Sequence, residues 1–344
     1  MSERDELETG SQPNESRGGS QTTHRRDLLK AVGVGAIGLS GLANATGRVS
    51  ADQIAIEDWN DLRSLRLGQD NTLVADLDID TPGYEEYIEE PAGGWEPLVN
   101  SMVTLNGNGH TISDLVINRP NEDDVGLFGR LEIGGIENLS VRDADITDGG
   151  SVGTLIGYGA QCSVVNSDTT GSVSGGGIVG GFIGRAENGA EVRDSHTEQQ
   201  INPGGGSVGG FIGICARGSV LNSHATEPVD SSGSGKTGGL VGDAFEASIR
   251  DSYATGAVSG GDSVGGIVGS IGNGGTVERS YATGAVSGGD SVGGLVGFLG
   301  LGGVTNSYAA NSVDGEDGVG GLVGSVTDFN DFYDFTHSYG GCQG

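Results

Sequence analysis

Residues 252–266, SYATGAVSGGDSVGG, recur without a change at 280–294, and looser copies extend back to Val125. A short motif of glycine, two large apolar residues and glycine marks each copy. The copies start from Val125, Val152, Val179, Val208, Thr237, Val264, Val292 and Val319, 27 to 29 residues apart. A near-constant period of this length means one supersecondary unit stacked on copies of itself, each contacting only its neighbours.

The interior of the repeat decides what that unit is. Gly, Ser, Thr, Val and Asn crowd out the strong helix formers, and apolar residues come in runs of one to three bounded by glycine, which excludes helical repeats. Taking 280–306 as the example, strand candidates are 279–282, 285–287 and 294–297, separated by Gly284 and the Gly288-Gly289-Asp290 turn. The expected fold is all-β, a parallel β-helix with 27–29 residues and three short strands per coil. At the strand spacing of about 4.8 Å, eight or nine coils extend roughly 40 Å.

Columns of like residues follow. Asn166, Asn222 and Asn306 share a position taken elsewhere by Asp194, Asp251 and Arg279, and a serine always comes next. The column after that holds His196, His224, Tyr253, Tyr281 and Tyr308, an expected aromatic stack in which the histidines are stacking residues. In the motif itself, strand alternation places neighbours such as Leu295 and Val296 on opposite faces, unless a glycine corner turns both inward. An outward column from Leu155 through Leu322 would be a docking stripe.

Residues 22–30 read TTHRRDLLK, and 32–42 form an apolar, glycine-rich stretch too short to span a bilayer as a stable helix. Arg25 and Arg26, followed by two leucines and such a stretch, form a twin-arginine export signal, with cleavage after Ala45 or Ala51. The expected organisation is therefore 1–51 signal and extension, 52–124 N-terminal cap with irregular first coils, and 125–344 regular repeats ending mid-coil. The mature chain is expected outside the cell or on its surface.

The formal net charge is −30, with 47 Asp and Glu against 17 Lys and Arg. Carboxylate excess of this size favours solubility in concentrated salt, where the Debye length shrinks to about 3 Å at 1 M, so the source is read as a halophile. The same charge argues against nucleic acid and anionic lipid as partners, both of which need a basic face. No integral membrane segment is expected.

The chain resembles the GLUG-motif repeat proteins, a family of secreted or surface β-helices. The motif stands as GLFG at 126–129, GFIG at 181–184 and 210–213, GLVG from 239, 294 and 321, and GIVG from 266; TLIG at 154–157 departs, with Thr154 for the first glycine. The segments LVADLDID (73–80), WEPL (95–98) and LNGNGHTI (105–112) also look like the lead-in to such repeats. The resemblance implies a β-helix and no activity of its own. GLUG repeats also accompany IgA-cleaving metallopeptidases, but the sequence has no HExxH.

The function expected is an exported, non-catalytic scaffold with an adhesion-like or structural role, using no cofactor and meeting a cell-envelope component or an extracellular glycan. The alternatives are a carbohydrate-binding or polysaccharide-cleaving β-helix enzyme, and a stalk segment of a larger surface protein. Acidic residues outside the columns, from Asp76 to Glu90, read as a solvated loop, and His110 as structural. Cys162, Cys215 and Cys342 fall in different columns, so no disulfide or zinc site is expected. Asp262, Asp290 and Asp317 share one position in three successive coils, a candidate calcium ladder with carboxylates about 5 Å apart. At the C-terminus, either strand addition end to end or a plug from the aromatics Phe329, Phe332, Tyr333 and Phe335 is expected to deal with the last edge.

Overall fold

The computed structural model describes residues 53–342 except 101, 232, 234, 328–332 and 335, all in one compact unit spanning 47–344. The export signal read at 1–51 lies outside them. The unit is a parallel β-solenoid whose strands stack into three sheets of 18, 8 and 14 strands. Register repeats coil over coil, as in Val264↔Val292↔Val319 and Tyr253↔Tyr281↔Tyr308.

Each coil has three sides, and two of them are divided. Beginning at 263, the strands are Ser263–Gly265 in the 8-stranded sheet, Val268–Gly272 and Gly275–Glu278 in the 18-stranded sheet, and Tyr281–Ala282 and Val286–Ser287 in the 14-stranded sheet. Strand pieces thus also begin at Asp290 of the expected Gly288-Gly289-Asp290 turn, as Asp290–Gly293, and run at Gly302–Thr305, where no strand was expected.

Both apolar residues of the motif point inward. Phe182, Phe211, Leu240, Ile267 and Leu295 are fully buried, and so are their neighbours Ile183, Ile212, Val241, Val268 and Val296. No outer stripe exists from Leu155 to Leu295. The reason is the glycine corner in front of the motif, where the chain folds so tightly that a Cβ on Gly265 would stand 2.0 Å from the Val268 carbonyl oxygen, and one on Gly293 1.9 Å from that of Val296. Only glycine permits that approach. At the departing motif, Thr154 Oγ1 accepts a 2.6 Å hydrogen bond from Gln199 Nε2 inside the core.

The polar columns hold the coils together. Asn138, Asn166, Asp194, Asn222, Asp251, Arg279 and Asn306 all have φ near +50°, a left-handed corner that Asn and Asp tolerate better than most residues. Their side chains bond along the stack: Asn166 Nδ2 donates to Asn138 Oδ1 at 2.7 Å, and Asn222 Nδ2 to Asp194 Oδ1 at 2.7 Å. In the serine column each buried Oγ accepts the backbone N–H of the preceding coil's serine, at 3.1–3.3 Å from Ser167 through Ser307. Ser252 Oγ also donates to the Arg250 carbonyl. This ladder satisfies groups that a buried corner would otherwise leave unpaired.

The first coils close the core differently. The helix Trp59–Arg63 is capped by Asp58, whose Oδ1 accepts from the Asp61 N–H. Trp59 and Trp95 are fully buried 5.6 Å apart, with Tyr84 edge-on to Trp59 and Tyr87 edge-on to Trp95. Strands Gln53–Ile56, Asp70–Leu73 and Val103–Asn106 stack in sequence against this cluster.

Candidate functional site

The aromatic column lies on the outer face of the 14-stranded sheet. Ring centroids are 4.8 Å apart for His196–His224, 4.4 Å for His224–Tyr253, 5.0 Å for Tyr253–Tyr281 and 5.1 Å for Tyr281–Tyr308, with planes within 8° of parallel. Parallel strands in register impose this stacking, because identical positions recur one coil apart. The rings cover one another's faces, so edges and hydroxyls face solvent. Burial, and then the neighbouring His196, lower the pKa of His224, favouring the neutral imidazole. In the coil before the histidines the column continues as Asp168, which accepts from Ser140 Oγ at 2.8 Å and pairs with Arg142.

Beside the histidines the column pattern breaks. The TGAVS run of later coils becomes Thr226-Glu227-Pro228-Val229-Asp230, and the long strand His196–Pro203 gives way to the separate pieces His224–Ala225 and Val229–Asp230. A cavity of about 600 Å³ opens at that step, lined by Glu198, Gln200, Asn202, Glu227 and Asp230 among others. Its carboxylates and amides can accept and donate to hydroxyl-bearing ligands. Sequence reasoning missed Glu198, Glu227 and Asp230, although the departure from the repeat consensus at 227–230 was the available signal. Two further hollows, of about 350 and 590 Å³, lie on the 18-stranded sheet, the first lined partly by Asp70, Asn106 and Glu137, the second by Arg250, Thr276 and Glu278.

The other sequence candidates fall as follows. Asp290 and Asp317 sit opposite each other in register, and they and Asp262 are exposed. Among the described residues, no group of three or more His, Cys, Asp or Glu side chains is arranged to hold a metal ion. His110 Nδ1 lies 3.1 Å from Asp76 Oδ1, which also accepts the Thr111 N–H at 2.9 Å; that backbone bond first, and His110 after it, hold the carboxyl of Asp76 below its ordinary range. Cys162 and Cys215 are free and buried, their thiols pushed up by burial to about 11 and about 12, so neither presents a thiolate. Cys342 ends a strand paired with Tyr308–Asn311. Of the C-terminal aromatics, Phe329, Phe332 and Phe335 lie outside the described residues, and Tyr333 continues the 18-stranded sheet opposite Gly302.

No family model matches the chain. It is 36% identical over 135 residues to Halomucin of Haloquadratum walsbyi, covering 37% of this chain and 2% of that protein. It is 38% identical over 151 residues to a protein of Evansella cellulosilytica described as a Gly-rich membrane protein, covering 33% of this chain and 17% of the other. The chain thus spans a small part of the length of these relatives. Among solved structures, an IgA1 Protease superposes with a TM-score of 0.52 at 18% identity, over 70% of this chain and 20% of that one. That likeness is one of fold. Among the described residues no helix is long and apolar enough to cross a membrane.

Proposed function

We propose that the chain is an exported, non-catalytic β-solenoid of the GLUG-motif type, serving as a surface or matrix scaffold with an adhesion-like role. The observation that carries this reading is the uniformity of its columns: Asn, Ser and aromatic side chains are used to bond coil to coil. Identity to Halomucin and the carboxylate excess support a place outside a cell in concentrated salt. Its partners would be a cell-envelope component or an extracellular glycan. Calcium at Asp262, Asp290 and Asp317 is a separate proposal, supported only by their shared position.

The test is surface accessibility on intact cells kept at high salt. Antibody labelling should find the mature chain outside, and replacing Arg25 and Arg26 with lysine should hold the chain inside. Labelling only after lysis would remove the reading. A second reading, a carbohydrate-active solenoid, has the cavity beside Glu198 and Glu227 in its favour. It requires glycan binding or release of reducing ends that Glu198→Gln with Glu227→Gln abolishes.

A further inference from the structure

On the 18-stranded sheet, Thr104, Gly135, Ser163 and Glu191 stand in register in successive coils. Glycine at 135 leaves this column without a side chain there, so roughly 10 Å, two strand spacings, separates the side chains of Thr104 and Ser163. A parallel column of Thr72, Asn106 and Glu137, also in register, forms one wall of the gap, and Asp70, opposite Thr104, closes one end. The result is the hollow of about 350 Å³, at the lower end of the roughly 300–1,000 Å³ of small-ligand sites. Strand backbone at Leu105 and Ile136, whose side chains are buried in the core, also lines it.

Two carboxylates are held in place here, each through one oxygen. Asp70 Oδ1 accepts from Thr104 Oγ1 at 3.1 Å, and Glu137 Oε1 accepts from Asn106 Nδ2 at 2.7 Å. Their second oxygens are left to accept from a ligand. Thr72 points to what that ligand carries. It lines the hollow, is only 4% exposed, and its Oγ1 is buried with no hydrogen-bond partner. Such a hydroxyl gives up water without replacement, so the fold alone would be served better by valine. A hydroxyl of a bound molecule would complete it. No lysine or arginine lines the hollow, so its two carboxylates disfavour an anion. Among the described residues no cluster is arranged to hold a metal ion.

We propose that this hollow binds one residue of an uncharged, hydroxyl-rich glycan, a site that rests on the scaffold reading and its extracellular-glycan partner. Titration calorimetry of the mature chain at molar salt tests it, with neutral glucan, mannan and galactan oligosaccharides against acidic oligogalacturonates. A neutral sugar should bind and the acidic one should not. Thr72→Val should weaken that binding about fivefold, the loss of one hydrogen bond, with a melting temperature unchanged or higher; a structural role for the hydroxyl would not produce that combination. Glu198→Gln with Glu227→Gln, at the other cavity, should bind as the parent does. Binding that Thr72→Val leaves intact, or that the Glu198 and Glu227 variant abolishes, overturns the proposal. So does a chain labelled on the cell surface that binds none of the neutral sugars, a result that leaves the scaffold reading standing with a cell-envelope component as partner.

Discussion

The first coils and the coils after residue 150 bury the same kind of core with different means. The later coils repeat small and medium side chains, Val264, Val292, Leu295 and Val296, beneath a serine ladder that is alike from coil to coil. The first coils use two indoles and two phenols, each placed once. A repeated coil meets an identical neighbour, so its stability is a sum of like interfaces. The first coil meets none, and unique large residues close it. Exposed apolar residues at strained corners, Met102 and Ile133, occur where repetition has not yet set in.

This contrast can be broken at its strongest point first. Trp95→Ala removes a fully buried ring and the hydrogen bond of its Nε1 to the Leu127 carbonyl. A loss of about 3–5 kcal/mol is expected from denaturant unfolding, with hydrogen exchange opening first in the initial coils; a loss spread evenly along the chain would deny them a distinct role. In the regular part, Gly293→Ala drives a Cβ to 1.9 Å from the Val296 carbonyl oxygen and should cost about 1–3 kcal/mol. Gly274→Ala, with no atom within 4 Å of its Cβ, should lose less, leaving only the penalty of its positive φ. Ser252→Ala leaves the buried Ser223 N–H without its acceptor, an expected loss of about 1–3 kcal/mol that should be matched at Ser280.

Smaller effects sharpen the same comparison. His224 has a pKa lowered from 6.5, so its contribution is fully present above pH 6.5 and is lost as pH falls through the folded value. The melting temperature should drop between pH 7 and 5, and His224→Tyr, the residue that later coils use, should flatten that window. Asp76, Asp194 and Asp251 are also lowered, from 3.8, so their contributions fade only in stronger acid. Asp290→Asn should change stability by less than about 0.5 kcal/mol. If calcium raises the melting temperature of the parent and this variant equally, the ladder proposal fails.

Much of the solenoid was legible because its order is one-dimensional. A period of 27–29 residues fixes which side chains stack, so the serine, asparagine and aromatic columns could be assigned before their geometry was known. The inward turn of both apolar residues was left open, since strand alternation and a glycine corner give opposite answers and only the backbone path decides between them. The division of two sides into paired strand pieces was hidden in glycine-rich runs that read as turns. The cavity at Glu198 and Glu227 lay in a departure from the repeat that the column reading passed over. Ile133 and Met102 were illegible for a different reason: they stand at a left-handed corner that later coils fill with Gln161, Asn188, Arg217 and Glu246, so no shared residue type marks the position.

Hydrogen–deuterium exchange of the full chain at molar salt, compared between the parent and Ser252→Ala, tests most directly whether the serine ladder holds the regular coils while the first coils stand on their own aromatic cluster. The account predicts that exchange in the coils joined through Ser223 and Ser252 speeds up in the variant, while peptides around Trp59 and Trp95 keep the rate of the parent. Faster exchange around Trp59 and Trp95, with none at the Ser223 and Ser252 coils, would contradict it.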